Sequence, residues 1–186
     1  MTVHDTVIQG NGEYGIAIYS AINSSFYNNT IRNNHYVGIW ITGNGCIIRN
    51  STISYNQIGI EVISVSGKNI IEYNNIRNNI RGVYISFPSA IFQHNNFIKN
   101  LIPAAGGRAY MLRAVIEDPS LLFPREQLFD NNYWDHWKSS LPKPIVRLIL
   151  LQVMISDLVI LPIGWFPTIQ FDKHPAKKPF DIPEIM

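Results

Sequence analysis

The sequence contains a single cysteine, Cys46, which rules out an internal disulfide. The net charge is also small, because 15 Lys and Arg are nearly balanced by 13 Asp and Glu, which leaves a formal net charge of +2. A charge this small does not favour nucleic acid or an acidic membrane surface as the partner. Neither a metal site nor a cofactor is predicted, because the five histidines lack the spacing of metal ligands: His4, His35, His94, His136 and His174.

A secretory signal is not visible, since the first residues lead into a repeat without a basic start or an apolar segment. The ends of a solenoid need a cover. We therefore expect either that the chain is a piece of a longer protein, or that upstream coils or another chain cover its N-terminal end.

The one long apolar run, residues 148–166, is close to the length of a membrane span. Asp157 in its middle, Gln152 nearby and Pro162 near its end argue against a span. We predict instead a cap over the last coil, formed either by a helix or by two extended pieces. Membrane contact through residues 148–166 is the alternative.

What the sequence does contain is an internal repeat of 21 to 23 residues. An apolar anchor is followed three residues later by asparagine, and in four units a glycine then precedes an alternating apolar triplet, as in Gly38-Ile-Trp-Ile41. That alternation is typical of a strand with one buried face. The anchors and asparagines are Ile8 and Asn11, Ile31 and Asn34, Ile53 and Asn56, Ile76 and Asn79, and Phe97 and Asn100.

This unit, with consensus I-x-x-N-x-I-x-x-N-x-x-G-I-x-I, resembles the parallel β-helix repeat of the pectin-lyase-like superfamily. The resemblance implies an all-β fold, a right-handed parallel β-helix (solenoid) of about five coils with a C-terminal capping region. Side chains in the asparagine columns are expected to hydrogen-bond from coil to coil. One such column contains Thr6, Asn29, Ser51, Asn74 and Asn95.

Three segments are predicted. Residues 1–100 hold the coils, the fifth being incomplete because Pro103-Ala-Ala-Gly-Gly107 replaces the glycine strand. Residues 101–128 are predicted as an irregular loop or a short helix, with a helix at about 109–117. Residues 129–186 form the capping segment, in which Trp134, Trp137 and Trp165 are expected to cover the last coil.

The segment Phe129-Asp-Asn-Asn-Tyr-Trp-Asp-His-Trp137 resembles the motif that closes the last coil in a prokaryotic, often archaeal, group of β-helix proteins. That group is related to the periplasmic copper-site maturation protein of nitrous oxide reductase. The resemblance implies an extracellular, periplasmic or cell-surface location. The acidic, glycine-rich stretch of those proteins is replaced here by Leu141-Pro-Lys-Pro-Ile145, so no metal role is carried over.

Outward positions of the strands are where chemistry is expected in this superfamily. The strand after the glycine presents Trp40, Glu61 and Tyr84, and the neighbouring sheet presents Arg32 and Arg77. These five are the predicted substrate-binding residues. Glu61 has no acidic partner in the coil above or below, whereas inverting glycoside hydrolysis needs two carboxylates. No catalytic residue is predicted.

Trp40 and Tyr84 lie two coils apart, about 9 to 10 Å, which is near the length of two sugar units. Aromatic faces flanked by polar groups suit sugar rings. The alternative is that both rings cover the sheet or meet the loop after residue 101.

These features predict a non-catalytic, extracytoplasmic surface or carbohydrate-associated module with a polysaccharide or cell-surface glycan as partner. Two alternatives remain open. One is a fragment of a polysaccharide lyase or glycoside hydrolase whose acids lie on further coils. The other is a periplasmic metallocofactor-maturation accessory protein, which rests on family analogy alone.

Overall fold

A computed structural model of the chain describes residues 1–64, 68–87, 90–111, 129–137, 139, 141–156 and 159–183. Within these residues every regular element is a β-strand, which confirms the predicted all-β fold. The strands are β1 Thr2–His4, β2 Val7–Gln9, β3 Tyr14–Ile18, β4 Ser25–Tyr27, β5 Thr30–Arg32, β6 Val37–Ile41, β7 Ile47–Arg49, β8 Thr52–Ser54, β9 Ile58–Val62, β10 Asn69–Glu72, β11 Asn75–Arg77, β12 Arg81–Ile85, β13 Ala90–Gln93, β14 Asn96–Ile98, β15 Ile102–Met111, β16 Phe129–Asp130, β17 Tyr133–Trp134, β18 Lys143–Ser156 and β19 Val159–Asp172.

The strands stack into a parallel β-helix with three faces. The first face is the row β1-β4-β7-β10-β13-β16, the second is β2-β5-β8-β11-β14-β17, and the third is β3-β6-β9-β12-β15. All neighbours within a face pair in parallel, and anchor stacks on anchor, as Ile31 does on Ile8 and on Ile53. β1 to β15 thus form five coils of three strands each.

The core is the column of inward side chains, because alternation along each short strand points every second residue inside. Ile31, Ile53 and Ile76 are fully buried. Toward the C-terminal end the core side chains become aromatic: Phe97 stacks on Trp134 with ring centroids 4.2 Å apart. Cys46 is buried in this core, and its burial raises the pKa of the thiol.

Two ladders of polar side chains, all buried except that of Asn11, run along the corners, which confirms the coil-to-coil hydrogen bonding expected from the sequence. The first ladder contains Asn29, Ser51, Asn74, Asn95 and Asn132, and the second contains Asn11, Asn34, Asn56, Asn79 and Asn100. After the first member of each ladder, the side-chain oxygen of each residue accepts the backbone N–H of the member before it, so the backbone N–H at each of these bends is satisfied by the next coil.

The residue just before each first-ladder side chain adopts a left-handed conformation, for example Asn50 with φ of 49° and Tyr73 with φ of 52°. The repeated glycine has a different task. A Cβ on Gly59 would lie 2.5 Å from the carbonyl oxygen of Gly82, so glycine is required there for close approach of neighbouring coils.

The fifth coil is complete, and here the structure differs from the predicted incomplete coil. Strand β15 continues the third face, with Tyr84 opposite Ala105 and Ile85 opposite Gly106. A strand of different sequence, with small residues such as Ala104 and Ala105, can occupy this position because backbone pairing between strands needs no particular side chain. Of the helix predicted at about 109–117, residues 109–111 lie in β15, and the remainder falls outside the described residues.

The C-terminal segment closes the solenoid. β16 and β17 stack on β13 and β14, and the long antiparallel hairpin of β18 and β19 joins the first face to the third. Of the two predicted forms of the cap, the extended one is therefore found. No helix within the described part of the chain is long and apolar enough to cross a membrane.

The first ladder ends at the buried carboxylate of Asp172. Its Oδ2 accepts the backbone N–H of Asn132 at 3.0 Å and the indole N–H of Trp134 at 2.9 Å. The ammonium of Lys143 lies 5.5 Å from the Trp134 ring and 5.0 Å from the Trp137 ring. Burial lowers the pKa of Lys143, and the charge of Asp172 opposes that shift.

Candidate functional site

Trp40, Glu61 and Tyr84 form one row across the third face. Glu61 of β9 lies directly opposite Trp40 of β6 on one side and Tyr84 of β12 on the other. The three side chains are partly buried and point outward, because the residues on both sides of each, such as Ile60 and Val62 beside Glu61, are buried. We name this set the third-face row.

The Trp40 ring is packed against two tyrosines of the first coil. Tyr14 lies 5.5 Å away and Tyr19 lies 4.7 Å away in an edge-on arrangement, measured between ring centroids. Ala17, which precedes Trp40 in its column, has a side chain small enough to leave this space. Tyr19 is 67% exposed, so the aromatic surface extends beyond Trp40.

Glu61 lies between the aromatic side chains of Trp40 and Tyr84, and this partly buried position shifts the pKa of its carboxyl. Burial raises the pKa of its carboxyl, while the nearby Arg81 guanidinium lowers it in part. Arg81 also stacks over Tyr84, with its guanidinium carbon 5.6 Å from the ring centroid. The row therefore presents a hydrogen-bonding carboxylate between two aromatic side chains, with a cation at its edge.

Arg32 and Arg77, the other two predicted substrate-binding residues, lie on the second face. They are outward members of β5 and β11, separated by Ser54 of β8. The Arg32 Nε donates a hydrogen bond of 2.8 Å to the side-chain oxygen of Gln9. The structure thus assembles Trp40, Glu61 and Tyr84 in one row and places the two arginines on a different sheet.

The third-face row contains one carboxylate, that of Glu61. Both neighbours of Glu61 in register are aromatic, so a second carboxylate for hydrolysis is not brought beside it. Across the described residues, no group of three or more His, Cys, Asp and Glu side chains is arranged to hold a metal ion.

Sequence reasoning missed Tyr14, Tyr19 and Arg81. Tyr14 begins the first glycine-containing strand and Tyr19 follows it, and Arg81 begins the fourth, but none belongs to a repeated column of like residues. The two tyrosines could have been found from Ala17, because its small side chain precedes Trp40 in the column and leaves space for neighbouring aromatic rings.

A shallow groove opens at the corner between the second and third faces. It is lined by Tyr55, Asn78, Ile80, Lys99 and Leu101 together with ladder asparagines. Leu101 is 79% exposed and Ile80 is 52% exposed, so the groove is apolar at its rim. The sequence pattern did not single it out because these positions vary from coil to coil.

Comparison with protein families gives a match to the family described as "right handed beta helix region", over residues 1–111. The match ends with the last residue of β15 and covers more than half of the 186 residues. No curated protein and no solved structure matches the chain.

Proposed function

Because the chain belongs to the right-handed β-helix family, we propose that it is a non-catalytic carbohydrate-associated module that binds an oligosaccharide on the third-face row. The observation that carries the proposal is the register of Trp40, Glu61 and Tyr84 on adjacent strands. Two outward aromatic rings separated by two strand spacings, about 9 to 10 Å, are spaced by nearly the length of two sugar units.

The chemistry of the row suits a sugar. Sugar C–H faces pack on aromatic rings, and sugar hydroxyls need hydrogen-bond acceptors between them. Glu61 supplies the acceptor, and Tyr19 extends the aromatic surface at the end of the row nearest the first coil. Arg81 at the opposite end can donate to a hydroxyl or a ring oxygen.

A binding function fits better than hydrolysis because Glu61 is the carboxylate of the row and both of its neighbours in register are aromatic. Polysaccharides and cell-surface glycans, the ligand class proposed here, are found mainly outside the cytoplasm. We therefore place the module at an extracellular, periplasmic or cell-surface location, a placement that rests on this ligand class and on the family resemblance.

The experiment is a glycan array followed by calorimetric titration of the best ligand. We expect a dissociation constant in the range of roughly 1 µM to 1 mM, since a shallow open face encloses few contacts. Trp40→Ala should weaken binding about tenfold, because loss of an aromatic contact removes roughly 1 to 1.5 kcal/mol. Tyr84→Ala should have a similar effect.

Tyr55→Ala is the matched control, because Tyr55 is an exposed tyrosine of the corner groove rather than of the third-face row. Trp40→Ala also loses its contacts with Tyr14 and Tyr19, so thermal unfolding of the variant must be checked first. A parent protein that binds no glycan contradicts the proposal, and so does equal weakening by Tyr55→Ala.

A further inference from the structure

The outer surface of the first face has an ordered charge pattern that the sugar site does not use. Its strands are in continuous register, so one outward residue from each strand falls in a single column. We name this the charged column. From the N-terminal end it contains His4, Tyr27, Arg49, Glu72, Gln93 and Asp130.

The two halves of the charged column have opposite character. Arg49 lies in the half nearest the N-terminus, and Glu72 and Asp130 lie in the half nearest the C-terminus. Arg49 stacks over the Tyr27 ring at 5.6 Å, and Glu72 accepts a hydrogen bond of 2.9 Å from the Gln93 side-chain amide. Stacking occupies the face of the guanidinium, so its N–H edges can still donate to a carboxylate.

A second outward column runs beside the first and is apolar at its centre. It contains Thr2, Ser25, Ile47, Ile70 and Ile91. The three isoleucines are partly exposed, whereas the residues next to them in sequence, such as Ile48 and Ile71, are fully buried in the core. Partly exposed isoleucines beside opposite charges resemble the apolar centre and polar rim of a protein interface.

We propose that this face docks against the same face of a second copy of the chain, with the two solenoids antiparallel. The two-fold axis would lie between the two faces, parallel to the strands, and would pass between β7 and β10. Such an axis exchanges β7 with β10, β4 with β13 and β1 with β16.

This symmetry brings complementary residues together at the centre of the charged column. Arg49 of each copy faces Glu72 of the other, and Tyr27 faces Gln93. The end residues, His4 and Asp130, are already paired within each copy, with Asp5 and His174 respectively, and the proposal does not rest on them. Ile47 of each copy faces Ile70 of the other, at the centre of the interface. An isologous interface requires this kind of self-complementarity, and a column with its charges in another order would place like charges together.

The size of the face limits its affinity. Six strands at about 4.8 Å spacing and about three residues of width give a patch of roughly 25 Å by 10 Å on each copy. This is well below the roughly 800 Å² per partner of a standard stable interface. The dimer is therefore weak, concentration-dependent and sensitive to salt. It leaves the third-face row open.

Sedimentation equilibrium of the full chain, at low and at high salt, tests the proposal. We expect reversible dimerisation at high protein concentration that is weakened by salt. Arg49→Glu and Glu72→Arg should each raise the dissociation constant at least about tenfold, because each creates two like-charge contacts across the axis. The double variant Arg49→Glu with Glu72→Arg should restore the dimer.

Arg32→Glu is the control, since it reverses an exposed arginine on the second face and changes the net charge equally. Dilution of the isotope-labelled parent gives a second readout: backbone amide signals of β4, β7, β10 and β13 should shift, and those of β6 and β9 should not. A monomer at all concentrations overturns the proposal. So does a double variant as weak as the single ones, or equal weakening by Arg32→Glu.

Discussion

Asn74 shows how much of this fold rests on single side chains. Its Oδ1 accepts the backbone N–H of Ser51 at 3.0 Å, and its Nδ2 donates to the carbonyl oxygens of Ile48 and Glu72 and to Asn95 Oδ1. The side chain is fully buried. One amide therefore satisfies backbone groups in its own coil and in the coil before it, and also joins the next coil.

Replacing Asn74 by leucine should lower the free energy of unfolding by about 3 kcal/mol or more. Leucine would leave several buried backbone groups unpaired, and each such group costs roughly 1 to 3 kcal/mol. Chemical denaturation measures the change. Gln57→Leu, at an exposed position of a neighbouring turn, is the control and should stay within about 0.5 kcal/mol of the parent. Equal stability of the two variants would show that the ladder does not stabilise the fold.

At the scale of residues, positions that repeat in every coil could be predicted from the sequence, whereas contacts that occur in a single coil could not. The asparagine columns and inward isoleucines recur in each coil, so their positions could be aligned without a structure. Tyr14 and Tyr19 occur in the first coil alone, and their contact with Trp40 depends on the small side chain of Ala17. A contact of this kind is set by local space rather than by period.

The turns are the elements with the clearest backbone strain. Tyr55 immediately precedes the second-ladder residue Asn56 and has a φ of 56°, a left-handed conformation that costs most residues roughly 1 kcal/mol or more. The equivalent residues of the neighbouring coils, Asn33 and Asn78, are asparagines, which tolerate this conformation better. Tyr55 is thus a place where the sequence departs from the preference of its own turn.

Tyr55→Asn should therefore raise the free energy of unfolding by roughly 0.5 to 1 kcal/mol, because asparagine fits the left-handed backbone and the tyrosine ring is 56% exposed. Thermal unfolding measures the change. Tyr36→Asn removes an exposed tyrosine of the second coil and should bring no gain. If Tyr55→Asn is no more stable than the parent, strain at this turn is not a significant cost.

Elements of the C-terminal half were harder to predict than the coils. The apolar run at 148–166 does not alternate between apolar and polar residues, and a continuous apolar run does not distinguish a strand from a buried helix. Its described residues lie in β18 and β19, so of the two predicted forms the extended one is found. Strand β15 has Pro103 where the other coils have glycine and lacks the apolar triplet that follows it, so its pairing with β12 could be recognised only from the structure.

At the scale of the whole molecule, the C-terminal segment determines whether the solenoid has an exposed end. Trp134 covers Phe97, Phe129 covers Phe92, and Asn132 accepts the backbone N–H of Asn95. Removing these residues would expose the apolar cross-section of the fifth coil together with its strand edges.

Deletion of residues 129–186 should therefore give an aggregating protein rather than a soluble monomer. Light scattering and size-exclusion chromatography of the refolded fragment measure this outcome. A fragment of residues 1–128 that is monomeric and unfolds cooperatively would show that the cap is dispensable. It would also reopen the question of what residues 148–166 contact.

The central claim, that the third-face row binds sugar, is tested most directly by titrating the isotope-labelled protein with its array-selected glycan. The indole N–H signal of Trp40 and the amide signals of β6, β9 and β12 should move with increasing ligand, while the indole signal of the buried Trp134 stays in place. The account is contradicted if Trp40 does not respond while signals of Arg32 and Arg77 on the second face do.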